Sequence, residues 1–272
     1  MSVHITEHRA GFAAGLTWVT QTDESADNTG IAFGVLKLLA EQRYDCSVAR
    51  ETALLLMSGS AQVTIDGKTV SVHRNSLFDQ APYCMHLCAG TELGVVSTGD
   101  TEFTIYQTDN VDAFDPKVYQ PQDVNREQRG KGQVGDTCWR EVRTIFDATN
   151  SHAAATLVLG EVITLPGRWS SYPPHHHQQP EIYHYRFTHE QGYGHAELGD
   201  DVFKVRQFDT IKILNLNDHA QCAAPGYGMY YSWVIRHLAG NKYDTPDFTE
   251  EHRWIMEPGA SCWMPGEPSG RL

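Results

Sequence analysis

The stretch from residue 172 to residue 181, Tyr-Pro-Pro-His-His-His-Gln-Gln-Pro-Glu, places a glutamate four residues after the last of three consecutive histidines. On a β-strand alternate side chains face the same way, so His175 and His177 can enter one cavity while His176 points outward. After a bend at Pro180, Glu181 can return to that cavity, and His219 can reach it from another strand. Three imidazoles and a carboxylate predict a site for a divalent metal such as Zn, Mn, Fe or Ni. A solvent-exposed histidine-rich loop is the alternative interpretation.

The composition is that of a globular protein. The chain has 272 residues, 40% hydrophobic and 20% charged, which is enough for one large domain or two ordinary ones. Its formal net charge is −13, and no basic patch stands out, so we expect no nucleic-acid partner and no binding to an anionic membrane. We see neither a signal-peptide run nor an apolar window of membrane-spanning length. A cytoplasmic protein with free, mostly buried cysteines is therefore predicted.

The hydrophobic periodicity is mostly that of β-strands. Residues 61–65 alternate between apolar and polar side chains, Asp66-Gly67 supplies a hairpin turn, and residues 69–72 resume the alternation. Similar turn signals recur about every ten residues, a spacing typical of sandwiches and barrels. The run Val35–Glu41 fits either a helix or a buried strand. We predict an all-β fold.

A weak internal repeat indicates two copies of one β-fold. Residues 59–72 match residues 194–205 in their order of strand, turn and strand, and an ungapped extension places His86 opposite His219. The first copy has no His-x-His pattern, so we predict that it is structural. The predicted organisation is an N-terminal domain without metal ligands over residues 1–120, a linker over 121–136, and a metal-binding domain over 137–272.

Two tyrosines continue the strand that begins at Glu181. Tyr183 and Tyr185 share the face of Glu181, so either phenol could shuttle a proton beside the metal. Ordinary aromatic packing with hydrogen-bonded hydroxyls is the alternative.

Basic residues close to the metal motif could hold an anionic substrate. Arg168 and Arg186 flank the motif, and an arginine can bind a carboxylate through two parallel hydrogen bonds. For each of them a surface ion pair is the alternative. Lys212 and Arg236 are the next candidates.

The ligand pattern also resembles the cupin signature, and longer motifs resemble one family within it. The run Gly167–His175 (GRWSSYPPH), the segment 181–183 and the segment Arg74–Phe78 resemble the 5-deoxy-glucuronate isomerases of bacterial inositol catabolism. The resemblance covers nearly the whole chain. It implies a bicupin, that is, two β-barrel or jelly-roll cupin domains, with the metal in the second. The family's ligands carry over by position onto His175, His177, Glu181 and His219.

The resemblance also implies a reaction, a metal-dependent aldose–ketose isomerisation in myo-inositol catabolism. The substrate would be 5-deoxy-D-glucuronate and the product 2-deoxy-5-keto-D-gluconate, while a related isomerase acts on a 4-deoxy-threo-hexosulose uronate. Tyr183, Tyr185 or a hydroxide on the metal could serve as the base. The alternatives are a cupin dioxygenase with ferrous iron and a non-catalytic sugar-acid-binding cupin. The expected partners are a small anionic sugar acid and, as a possible assembly, a homo-oligomer.

Overall fold

The computed structural model describes residues 2–214 and 216–265. All strand pairs are antiparallel. The strands of the first half are β1 (His4–Ile5), β2 (Gly15–Trp18), β3 (Ile31–Leu38), β4 (Arg43–Ser47), β5 (Glu51–Ile65), β6 (Lys68–Arg74), β7 (Cys84–Leu87), β8 (Glu92–Ser97), β9 (Thr101–Thr108) and β10 (Lys117–Tyr119). Those of the second half are β11 (Asn125–Arg129), β12 (Arg140–Phe146), β13 (Leu157–Thr164), β14 (Trp169–His176), β15 (Glu181–Phe187), β16 (Tyr193–Leu198), β17 (Asp201–Arg206), β18 (Thr210–Ile213), β19 (His219–Ala223), β20 (Met229–Arg236) and β21 (Asp247–Phe248).

Helical structure in the described residues is limited to short 3-10 segments. These are Pro121–Asp123, Val134–Asp136 and Glu250–Met256. No helix there combines the length and the apolar character needed to cross a membrane.

Each half is a β-sandwich. In the first half the long strand β5 joins both faces, because residues 51–58 pair with β7 and β9 while residues 59–65 pair with β6 and β8. In the second half a seven-stranded sheet, in the order β1-β18-β15-β20-β13-β12-β11, faces a five-stranded sheet in the order β17-β16-β19-β14-β21. Apolar side chains of both sheets form one core between them. The predicted all-β bicupin fold is confirmed.

Local sequence signals explain individual elements. The turn between β5 and β6 has φ values of 46° at Asp66 and 79° at Gly67, as the predicted two-residue hairpin turn requires. The first four residues of the ambiguous run Val35–Glu41 lie in strand β3, which is buried along nearly its whole length, and the run's last three residues are exposed after the strand ends. Burial on both faces explains why this strand shows no apolar–polar alternation.

The two halves pack sheet against sheet. One apolar cluster combines Phe33 and Tyr106 of the first half with Phe146, Leu157 and Tyr230 of the second. The domain boundaries at 120 and 136 stay a prediction. Strand β1 pairs with β18 of the second half, and β11, which lies inside the predicted linker, pairs with β12.

A buried ionic network also crosses this interface. The carboxylate of Glu161 accepts hydrogen bonds from Arg74 at 2.6 Å, from Arg143 at 2.9 Å and from the Tyr230 hydroxyl at 3.0 Å. Because buried charges need partners, each half depends on the other to keep this network satisfied.

The cysteines differ in burial from the prediction. All six are free thiols, as expected, but only Cys84 and Cys138 are buried. The other four, Cys46, Cys88, Cys222 and Cys262, are partly exposed, so the expectation of mostly buried thiols is wrong.

Candidate metal centre

The structure brings the four predicted ligands together inside the second half. His175 lies near the end of β14, directly opposite His219 at the start of β19. His177 follows the end of β14, and Glu181 is the first residue of β15. The chain bends between these two residues, so the same short segment supplies ligands from both sheets of the sandwich.

The ligand atoms converge on one point. One ligand atom from each of His177, Glu181 and His219 lies within 4.8 Å of the others. Glu181 Oε2 is 3.2 Å from His177 Nε2 and 3.5 Å from His219 Nε2. His175 stands beside this group, with its ring centre 4.4 Å from that of His219. The converging ligand atoms thus come from two imidazoles and one carboxylate, and His175 offers a third imidazole next to them.

Backbone carbonyls orient all three imidazoles. Each ring donates its Nδ1–H to a carbonyl two residues away, at 3.2 Å from His175 to Pro173, 2.8 Å from His177 to Gln179 and 3.1 Å from His219 to Asn217. Nδ1 therefore carries the proton, and Nε2 can offer its lone pair to a metal. Among the described residues, Nε2 of His219 is buried without a hydrogen-bond partner, and a metal ion would satisfy it. The residues present fit a divalent metal.

Burial sets the protonation of the ligands. It lowers the pKa of His175 to about 4 and holds the pKa of His219 well below its usual value, so both are neutral at pH 7. Burial is the largest single effect on the pKa of His177 and lowers it, but the hydrogen bond to Glu181, the charge of Glu181 and the Gln179 carbonyl together raise the pKa by more, so the net shift is upward. Burial raises the pKa of Glu181, although His177 and Tyr183 oppose that shift. The negative field that attracts a proton to His177 also attracts a metal cation.

His176 lies outside the centre, as the alternation on the strand predicts. Its Nδ1 is 2.6 Å from Asp218 Oδ1, and both side chains are about one-third exposed. This contact links β14 to the residue that precedes His219.

The centre opens into a cavity of about 620 Å³. Its walls combine aromatic side chains with a few polar ones, as small-molecule sites usually do. The lining residues include Arg129, Lys131, Arg140, Ser171, Tyr183, Tyr231, Trp233, Tyr243 and Asp244. The Tyr183 and Tyr231 hydroxyls lie 3.4 Å and 3.0 Å from Ser171 Oγ.

Of the two predicted catalytic tyrosines, only Tyr183 reaches this cavity. Tyr185 lies two residues farther along β15, where its hydroxyl donates to Gln221 Oε1 at 2.5 Å in the buried core. Tyr183 and Tyr185 thus share a strand face but not access to the cavity, because the core covers this face of β15 at Tyr185.

The structure does not bring the predicted arginines to the cavity wall. Arg186 alternates to the opposite face of β15, where it binds Glu102 of the first half at 2.6 Å and stacks over Phe208. Arg168 is partly exposed at the turn before β14 and does not line the cavity. Of the next candidates, Lys212 binds Glu24 at 2.7 Å and Arg236 donates to the Thr29 carbonyl.

Two residues of the cavity carried no local sequence signal. Arg140 begins β12, a strand that pairs with β11 and β13, and it lines the cavity. Tyr243 lies in a loop after β20, with its ring centre 5.0 Å from that of His177. Neither residue belongs to a recognisable motif, and each lies far in sequence from the segment 175–181.

Two cupin barrels in one chain, with a histidine–glutamate cluster in the second, define the class as a bicupin. The chain belongs to the KduI/IolB family, whose sequence profile matches residues 4–255. It is an isomerase, as its curated relatives are.

Two of these relatives and two solved structures show how far the similarity extends. The 5-deoxy-glucuronate isomerase of Geobacillus thermodenitrificans (strain NG80-2) is 27% identical over 267 residues, which cover 88% of this chain and 91% of the relative. That of Bacillus subtilis (strain 168) is 24% identical over 255 residues, covering 87% and 91%. An IolB-like protein from Salmonella typhimurium LT2 superposes with a TM-score of 0.81 at 24% identity, over 90% of this chain and 97% of that one. Lactobacillus farciminis oxalate decarboxylase, with a TM-score of 0.66, 12% identity and coverage of 91% and 87%, shares the fold alone.

Replacing a predicted ligand should remove the metal without unfolding the protein. We expect His219→Ala to weaken metal affinity by more than about 100-fold, since even the outer partners of ligands are worth about 10–100-fold. The fold should persist because apolar strands build the core. Metal content by plasma mass spectrometry, with circular dichroism, measures both effects. The matched control is His176→Ala, which should keep its metal. Full metal occupancy in His219→Ala would exclude that residue from the centre.

Proposed function

We propose that this isomerase converts 5-deoxy-D-glucuronate to 2-deoxy-5-keto-D-gluconate in the myo-inositol catabolism of the cytoplasm. The observation that carries the proposal is the cluster of His175, His177, Glu181 and His219 opening into a cavity of about 620 Å³. A cavity of this size admits a six-carbon sugar acid. The names of the curated relatives support this substrate.

The reaction needs the charge and the proton donor that this cavity offers. One proton leaves the carbon next to the aldehyde, another is added at the aldehyde carbon, and a hydroxyl proton passes from one oxygen to the other, so no atom is gained or lost. Zn, Mn, Fe or Ni all suit the donor set. When bound, such a metal supplies positive charge for the negative charge that develops on the two substrate oxygens.

Tyr183 is the proton-transfer residue that the geometry supports best. Its hydroxyl lines the cavity, and its ring centre lies 5.9 Å from that of His219. Burial, followed by the nearby charge of Glu181, holds the pKa of Tyr183 well above its usual value. The phenol is therefore protonated at neutral pH and can donate its proton to a substrate oxygen.

Turnover without oxygen tests the proposed reaction. We expect the metal-loaded protein to convert 5-deoxy-D-glucuronate to the ketose under anaerobic conditions, followed by proton NMR. In air, an oxygen electrode should register no uptake during turnover. Oxygen-dependent turnover would instead support a ferrous cupin dioxygenase. Tight binding of the sugar acid without any conversion would support a binding protein.

The two tyrosines of β15 provide a matched pair of variants. Tyr183→Phe should lower kcat by about 100- to 10,000-fold, the usual contribution of a positioned proton donor, while metal content stays unchanged. Tyr185→Phe should leave kcat within a few-fold of the wild-type value, because its hydroxyl only meets Gln221 in the core. Equal losses of kcat in both variants, at unchanged metal content, would contradict the role given to Tyr183.

A further inference from the structure

Arg140 is a cation on the cavity wall that no carboxylate neutralises within residues 2–214 and 216–265. Its guanidinium donates to two backbone carbonyls, to Cys138 at 2.9 Å and to Tyr172 at 3.3 Å. Carbonyls hold the group in place but leave it with its full positive charge. Burial lowers the pKa of Arg140, because desolvation penalises the charged form, yet an arginine stays protonated in proteins. The site therefore has an uncompensated charge.

The other cations that line the cavity are already occupied or exposed. Arg129, directly opposite Arg140 on the neighbouring strand, donates from Nε to Glu127 at 2.7 Å. The charge of Glu127 also raises the pKa of Arg140, but this effect is smaller than the lowering that burial causes. Lys131 is exposed, with its ammonium 4.8 Å above the ring of Trp139. Arg140 is thus the cation best placed to bind an anion inside this cavity.

Arg140 also lies close to the metal centre. Its guanidinium donates to the carbonyl of Tyr172, and His175 lies three residues farther along the same strand. Both of these residues line the same cavity. An open-chain ligand could therefore place one end at the cluster of ligands and the other end at the guanidinium.

We propose that the Arg140 guanidinium binds the carboxylate of the sugar acid and selects acids over neutral sugars of the same length. The planar group can form two parallel hydrogen bonds with a carboxylate, which fixes both position and orientation. A local cation is needed because the net charge of −13 repels an anionic substrate at long range. This assignment rests on the proposed function for the identity of the ligand, and it gives Arg140 the role that the sequence suggested for Arg168 or Arg186.

Binding of two non-isomerising ligands tests the proposal independently of turnover. D-Gluconate is an open-chain acid without an aldehyde, and D-sorbitol is its neutral counterpart. Titration calorimetry on metal-loaded wild type should show tighter binding of gluconate than of sorbitol. Arg140→Gln should weaken gluconate binding by about 30-fold or more, the effect of removing one partner of a desolvated charge pair. Sorbitol binding and metal content should not change, which separates a lost anchor from a damaged fold.

Two further variants serve as controls. Arg140→Lys keeps the charge but not the planar pair of donors, so it should retain part of the preference for the acid. Arg126→Gln removes an arginine of the neighbouring strand β11. This arginine pairs with Glu141 and does not line the cavity, so the variant should behave as wild type. An unchanged ratio of gluconate to sorbitol affinity in Arg140→Gln would overturn the proposal. So would wild type that binds gluconate no better than sorbitol, including wild type that shows no measurable gluconate binding.

Kinetics on the same preparations separates this proposal from the proposed reaction. If Arg140→Gln turns over 5-deoxy-D-glucuronate with an unchanged KM, the result would contradict carboxylate binding by Arg140 but not the proposed reaction. The protein could instead prefer gluconate in an Arg140-dependent way without turning over the deoxyuronate. That result would support carboxylate binding by Arg140 and contradict the proposed reaction.

Discussion

The burial of His177, His219 and Glu181 inside an apolar β-sandwich, with His175 beside them, is the constraint on which the second half of the molecule depends. Leaving a buried polar group without a partner costs about 1–3 kcal/mol. The fold lowers this cost by tying each Nδ1–H to a backbone carbonyl, and Glu181 Oε2 lies 3.2 Å from His177 Nε2. Nε2 of His219 is still buried without a hydrogen bond among the described residues. One cation could satisfy all four side chains at once.

The first half supports this centre from outside. Strand β13 places Glu161 toward the interface, where it binds Arg74 and Arg143, and the next residue, Val162, toward the cavity. The same alternation on β15 sends Arg186 to Glu102 of the first half and Tyr183 to the cavity. The packing that joins the two halves thus fixes the strands that form the walls of the cavity.

The short-range part of this arrangement could be predicted from the sequence. Two-residue periodicity placed His175 and His177 inward and His176 outward, and the Asp66-Gly67 turn set the register of a hairpin. The roles predicted for Tyr185 and Arg186 could not be judged from the sequence. Judging them requires knowing how far each residue lies from the cavity along β15 and what packs against each face of that strand. That information comes from packing between sheets, which no local pattern records. Arg140 was missed for the same reason, because pairing of β12 with β11 and β13 carries it to the centre from a segment without a motif.

The most direct test of a metal-dependent isomerase is reversible metal removal. The protein would be stripped with a chelator, checked by circular dichroism, and reloaded separately with Zn, Mn, Fe or Ni while conversion of 5-deoxy-D-glucuronate is followed by NMR. We expect the stripped protein to keep its fold but lose activity, and about one metal ion per chain to restore that activity. Full activity in protein shown by mass spectrometry to be free of metal would contradict it.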